Sequence, residues 1–422
     1  MGIMGAIVLL FSPMAAAQSV VNMGSVVILE EFDLGMEGIA VSPEGDSILA
    51  FGSESTIFVI DPMIPANNSR VDSIGSEDLL DGSFHPSGNT ALLVGEEGSV
   101  LRFIAANSTI ENAGGVSIFG STELKAVSWN GDGSWAYIGG EGGWIWRFRG
   151  LDGGGVEAIP LENRGESDIN AISCLRGYNI CIVSSSVDGI GVINQEHELF
   201  WIGGYGNPWI DVACPSTTLM ECVVISSELT IARIRVSIED PSKTTIYDND
   251  IVQLQGFGGM MTGINFQKDG SSLISLAPFG LIEHDLEVSK SFHWLDNDDA
   301  VDFDASISGE RIVSTWGTGA FDGWILTDSG SVVSFTTATE SEIVILEMGV
   351  PDFVNSPHHH NPSNVIEFSN RHPDTLVLVT HNFSKSPGSD VGFDVPDLPE
   401  GIINNCLCVA YELVGIMRFL VT

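Results

Sequence analysis

Apolar residues come in short runs along this chain, alternating with small polar ones, and each run stops at a cluster of Gly, Asp, Asn or Ser. Gly38 to Gly52 reads Gly-Ile-Ala-Val-Ser-Pro-Glu-Gly-Asp-Ser-Ile-Leu-Ala-Phe-Gly. The pattern returns from Gly82 to Gly95 as Gly-Ser-Phe-His-Pro-Ser-Gly-Asn-Thr-Ala-Leu-Leu-Val-Gly. Its clearest copy, Ala126 to Gly140, is followed by Gly-Trp-Ile-Trp-Arg-Phe. Alternation of β-branched and aromatic residues between turn residues predicts strands. No stretch long enough for a globular helix keeps a helical period without an interrupting Gly, Pro or Asn.

Looser copies follow at Ala171 to Ser184, Val212 to Ser226, Gly263 to Leu276 and Val301 to Ser314. The first turns fall at Gly45, Gly88, Gly133, Gly177, near Thr218, and at Gly270 and Gly309, on average 44 residues apart. A unit of that length holds four short strands, which is the period of a propeller blade. The expectation is an all-β chain, a seven-bladed β-propeller of four-stranded antiparallel blades over residues 18–355. An eighth blade is the alternative, because Asn364 to Thr380 again reads as two strands around a turn and Ile343 to Glu347 echoes Val26 to Glu30. Val26 to Leu29 is expected to join the last blade and close the ring, leaving no open sheet edge. Residues 356–422 form a His-containing loop and a C-terminal β segment, a candidate further blade. The Ser-Pro-x-Gly and Asn-x-Asp-Gly-Ser turns make the repeat resemble the WD40-like or YVTN-like β-propeller superfamily over about residues 26–340. No blade ends in Trp-Asp or follows Gly-His, so the resemblance implies the general blade and no particular activity.

Composition then narrows the setting. With 56 acidic and 16 basic side chains the chain has a formal charge of −40, which excludes nucleic acid as a partner and disfavours anionic membranes. Such a surface suits a salt-rich exterior. Residues 1–17 read as a signal peptide, with an apolar core from Gly5 to Phe11 and Ala15-Ala16-Ala17 before the cut, though the leading segment lacks Lys and Arg. Cys174 with Cys181, and Cys214 with Cys222, each flank a short hairpin and would be opposed across it, close enough for disulfides. Both features predict a secreted or cell-surface protein. Cys406 and Cys408 share a strand face and receive no partner. Asn67, Asn107 and Asn382 begin Asn-x-Ser/Thr triplets. The apolar tail from Asn405 is interrupted by Glu412 and Arg418, which argues for a strand against stable transmembrane insertion.

Candidate chemistry is sparse. His358, His359 and His360 lie in a Pro-flanked loop, and imidazoles of this kind suit a transition metal. Asp298 and Asp302, within an Asp-rich stretch, offer oxygens for Ca²⁺. Neither set has an ordered-site spacing, so no cofactor is required, and Ca²⁺ or a transition metal is only an optional occupant. The Gly-rich segments at Gly139 and Gly203 do not precede helices and read as blade turns. Nucleophile-elbow, His-Glu-x-x-His and Cys-x-x-Cys motifs are absent from the sequence. Trp129, Trp135, Trp144 and Trp146 crowd the third repeat as packing residues, whereas Trp209, on an inter-blade connection, is the candidate for a binding face. The resulting expectation is a monomeric binding or assembly module with a protein or glycan ligand. The alternative is a metal-dependent hydrolase, lyase or oxidoreductase with its site at the channel mouth.

Overall fold

The computed structural model describes residues 22–336 except 31–32, 115–117, 152–154, 215–219, 254–258, 267–271, 286–289, 296–306, 308 and 319–321, together with the strands 365–368 and 376–379. Seven four-stranded antiparallel sheets succeed one another along the chain. Their first strands are Met36–Val41, Leu79–Phe84, Leu124–Trp129, Ile169–Cys174, Trp209–Ala213, Met260–Phe266 and Ile312–Gly317. Each packs beside the next, the seventh beside the first, so the sheets form a closed ring of blades. The molecule is a seven-bladed β-propeller over Val21–Ala338.

Closure is done by the N-terminal strand Asn22–Ile28, which pairs with Ser331–Thr336 as the outermost strand of blade 7. That leaves no place in the ring for an eighth blade. Among the described residues Val365–Phe368 and Leu376–Val379 pair with each other, as a two-stranded antiparallel sheet. One repeat boundary is also corrected. Gly309 was expected to mark the first turn of the seventh repeat, but it precedes the first strand of blade 7, whose partner is Asp322–Thr327.

Local sequence explains the repeat. At Gly45, Gly88, Gly133 and Gly177 the backbone turns through φ of +68°, +73°, +73° and +82°, the left-handed region where a side chain is strained. At the end of the second strand, Gly52, Gly95 and Gly140 lie so close to the carbonyl that precedes the first strand that a Cβ would collide with it. Second strands are buried on both faces, as in Ile48–Gly52 and Cys181–Ser185, which is why they read as continuous apolar runs. Facing sheets interlock. Phe51 and Ile57 of blade 1 pack on Leu79, Leu93 and Phe103 of blade 2, each burying side-chain area worth about 2 kcal/mol.

Both expected disulfides are present. Cys174 and Cys181 face each other in register with Cα atoms 3.9 Å apart, and the Leu175 N–H donates to Ile180 O to close the turn. Cys214 and Cys222 are joined with Cα atoms 4.3 Å apart. No helix among the described residues is long and apolar enough to cross a membrane.

Candidate functional site

Every first strand presents an unpaired sheet edge to the axis of the ring, and such an edge carries N–H and C=O groups that need partners. The strand also has a bulge near its start in all seven blades, after its first residue in six and after its second, Met261, in blade 6. A bulge re-aims the residue that follows it. The positions just past the bulge are Gly38, Asp81, Ala126, Ala171, Asp211, Gly263 and Ser314. Five of these are small or neutral, and two are acids.

The two acids reach across the joint to the next blade. Asp81 Oδ2 accepts from Val127 N–H at 2.7 Å and Oδ1 from Gly82 N–H at 2.7 Å. Asp211 does the same on the far side, with Oδ2 accepting from Ile264 N–H at 2.8 Å and Oδ1 from Val212 N–H at 2.7 Å. Two residues further on, serines repeat the device. Ser83, Ser128 and Ser173 accept the backbone N–H of Trp129, Cys174 and Cys214 at 3.4, 3.2 and 3.1 Å.

Together the first strands enclose an axial cavity of about 630 Å³, lined by Asp81, Asp211 and all three serines. Charges near its first end are matched. Lys125 Nζ lies 2.9 Å from Asp168 Oδ2, and Arg311 Nη2 lies 3.3 Å from Glu37 Oε2. Midway, Asp81 and Asp211 have no cationic partner among the described residues. At the turn end Arg176 of blade 4 donates from Nη1 to Pro43 O of blade 1 at 3.2 Å, with no carboxylate partner among the described residues.

Those imbalances shape the titration. Burial pushes Asp81 up to about 7 against the pull of its two N–H bonds, and the charge of Asp211 pushes the same way. Burial likewise lifts Asp211 to about 6, against Ile264 and Val212. Desolvation penalises the ionised form more than two neutral donors favour it.

Among the residues expected to act, the structure corrects Trp209. It is fully buried inside the blade 4–5 core, and its indole N–H is spent on Gly204 O at 2.7 Å. It packs and cannot present a binding face. His358, His359 and His360, and Asp298 and Asp302, lie outside the described residues. Among the described residues no three His, Cys, Asp or Glu side chains converge as a metal requires. The third-blade tryptophans pack as expected. Trp144 stacks on Trp146 with centroids 5.6 Å apart, and Arg149 covers Trp135 at 4.2 Å.

Asp81 and Asp211 were not singled out from the sequence. Asp81-Gly82 reads as a turn dipeptide, and an acid is unremarkable among 56. The usable signal was alignment of the repeats on the bulge, where an acid replaces a small residue only twice. No protein-family model and no curated protein matches the sequence, so function is read from the channel alone.

Proposed function

We propose that this chain is a secreted or cell-surface binding module, with WD40-like or YVTN-like blades, that holds a small polar ligand in its axial channel. The single observation behind the reading is the cavity of about 630 Å³ containing two enclosed carboxylates without a cationic partner among the described residues. Cavities of a few hundred Å³ with a few convergent polar groups are the usual form of small-molecule sites. Two disulfides support an oxidising compartment. Propeller scaffolds serve many functions, so fold alone carries no weight here.

The test is native mass spectrometry after dialysis against the small-molecule fraction of the growth medium. The wild-type chain should retain added mass that a channel-filling Leu80→Trp variant, equally folded by circular dichroism, does not. Equal retention by both proteins, or none by either, would refute the channel as the binding site. Binding only to a macromolecule would replace this reading with a scaffold role.

A further inference from the structure

We propose that Asn107, at the tip of the outer hairpin of blade 2, is an N-glycosylation site that receives its glycan from a lipid-diphosphate-linked sugar donor. The inference rests on the secreted or cell-surface part of the reading above and on no property of the channel.

Asn107-Ser108-Thr109 has the required form, an Asn followed two residues on by a hydroxyl with no Pro between. The triplet alone does not make an acceptor, since the fold decides whether it can be reached. Here the third and outer strands of blade 2, Val100–Ile104 and Thr109–Asn112, are joined by a turn, and residues 105–109 are all exposed. The outer strand is the last of its sheet, farthest from the axis. A glycan on this tip extends into solvent and touches neither the channel nor a joint between blades.

A second triplet, Asn67-Asn68-Ser69, occupies the same connection in blade 1 and supplies a comparison. Asn67 is tied into its turn, with its N–H donating to Ile64 O at 2.7 Å and its carbonyl accepting from Asp61 N–H at 3.0 Å. Asn107 makes no such backbone bond among the described residues. Charge separates the two tips as well. The blade 1 turn carries the Asp61 carboxylate, which accepts from Met63 and Ile64 N–H. Residues 105–109 read Ala-Ala-Asn-Ser-Thr, without a charge, in a chain of formal charge −40. An anionic diphosphate donor therefore meets no carboxylate within the blade 2 tip.

The side chain is also arranged for the reaction. Thr109 Oγ1 donates to Asn107 Oδ1 at 2.8 Å, so the hydroxyl that defines the triplet already holds the carboxamide by its oxygen. That leaves Nδ2 outward, without an acceptor among the described residues. Asn68, which is not followed by such a hydroxyl, instead spends its Nδ2 on Pro65 O at 2.9 Å. In the transfer, Asn107 Nδ2 attacks the anomeric carbon of the donor sugar. The new C–N bond forms as the C–O bond to the lipid diphosphate breaks, Nδ2 loses one proton, and nothing is oxidised or reduced.

Peptide mapping by tandem mass spectrometry tests this on the full chain, isolated both from the cells that produce it and from their medium. The peptide containing Asn107 should carry a sugar mass on that residue in most molecules. Asn107→Gln and Thr109→Ala should each abolish the mass, and Thr109→Ser should keep it. Asn112→Gln, in the same hairpin but outside any triplet, should leave it unchanged. All four sites are exposed or at the hairpin end, and circular dichroism checks that each variant keeps the wild-type fold. The proposal is overturned if Asn107 is bare, if Asn67 is modified while Asn107 is not, or if the mass survives Asn107→Gln. Survival would place the sugar on the Ser108 or Thr109 hydroxyl. A bare Asn107 on chain recovered from the medium or cell surface removes this inference alone. A bare Asn107 on chain found only inside the cell removes the secreted reading with it.

Discussion

Asp81→Asn should change stability by an amount that depends strongly on pH. In the folded chain Asp81 titrates near 7 instead of at its ordinary 3.8, chiefly because it is buried. Its folded value lies above its unfolded one, so the folded state binds the extra proton between those two values. The contribution to stability is complete below the unfolded value and is lost as pH rises through about 7. At about 1.4 kcal/mol per unit, a rise from 3.8 to about 7 corresponds to about 4 kcal/mol across the window. Asparagine does not titrate, but its single oxygen serves only one of the two N–H groups that Asp81 satisfies, from Val127 and Gly82. Leaving the other without an acceptor costs about 1–3 kcal/mol at every pH.

The two effects cross. Near pH 4 the wild-type chain should be the more stable by the lost hydrogen bond, and by about pH 8 the variant should equal or exceed it. Urea unfolding of both proteins at a series of pH values reads this directly. Taking the difference between them cancels most of the titration of the remaining acids, which are common to both. The difference should travel by about 3–4 kcal/mol over the window. A difference that stays constant to within about 0.5 kcal/mol would show that Asp81 is not buried in the way the channel geometry requires.

Three further outcomes follow from the same framework. Asp211→Asn should show a smaller travel, about 3 kcal/mol, because burial lifts Asp211 only to about 6; the same urea series checks it. Removing Cys174–Cys181, whose ends are 7 residues apart, should cost about 2–3 kcal/mol in the chain-entropy model, seen without reductant as a lower urea midpoint for a Cys174→Ser/Cys181→Ser double variant than for the wild type, with Cys214–Cys222 intact in both. Trp209→Ala should cost about 3–5 kcal/mol in thermal unfolding, because the ring is wholly buried. Trp209→Phe should keep ligand retention intact, which a residue on a binding face would not.

The repeat was legible because its signals are local. A glycine with positive φ in the first turn and alternation in the strands mark blades 1 to 4 at Gly45, Gly88, Gly133 and Gly177. The hairpin register that opposes Cys174 to Cys181 is equally local. Blade 7 was harder, since Gly309 imitates a first turn while the strand it should follow comes after it, at Ile312–Gly317. The ring-closing strand was expected at Val26 to Leu29 because a ring leaves no open sheet edge, and it starts four residues earlier, at Asn22–Ile28. Trp209 was misplaced because its position beside Asn207-Pro208 looks like an exposed connection, whereas the residue begins a first strand and fills the joint between blades 4 and 5. The channel acids were invisible for a different reason. Their partners, Val127 and Ile264, lie 46 and 53 residues away, and only the ring brings successive first strands together.

What separates a structural peg from a ligand contact is whether the ring needs the acid, and the repeat supplies its own control. Residues already accepted at the same position elsewhere in this chain can be placed at the two acidic joints. Alanine closes blades 3 and 4, and glycine closes blades 1 and 6, so Asp81→Ala and Asp211→Gly import solutions the fold uses elsewhere. Unlike asparagine, neither residue fills the space of the carboxylate, so channel water reaches the two freed backbone N–H groups and replaces the acceptor at little net cost, and each substitution removes a buried charge that is unfavourable at alkaline pH. At about pH 8 the double variant should therefore be at least as stable as the wild type in urea unfolding. It should nevertheless retain no ligand by native mass spectrometry. If the double variant instead loses most of its stability at that pH, the acids are pegs that hold blade 2 to 3 and blade 5 to 6, and the channel has no charge to spare for a ligand.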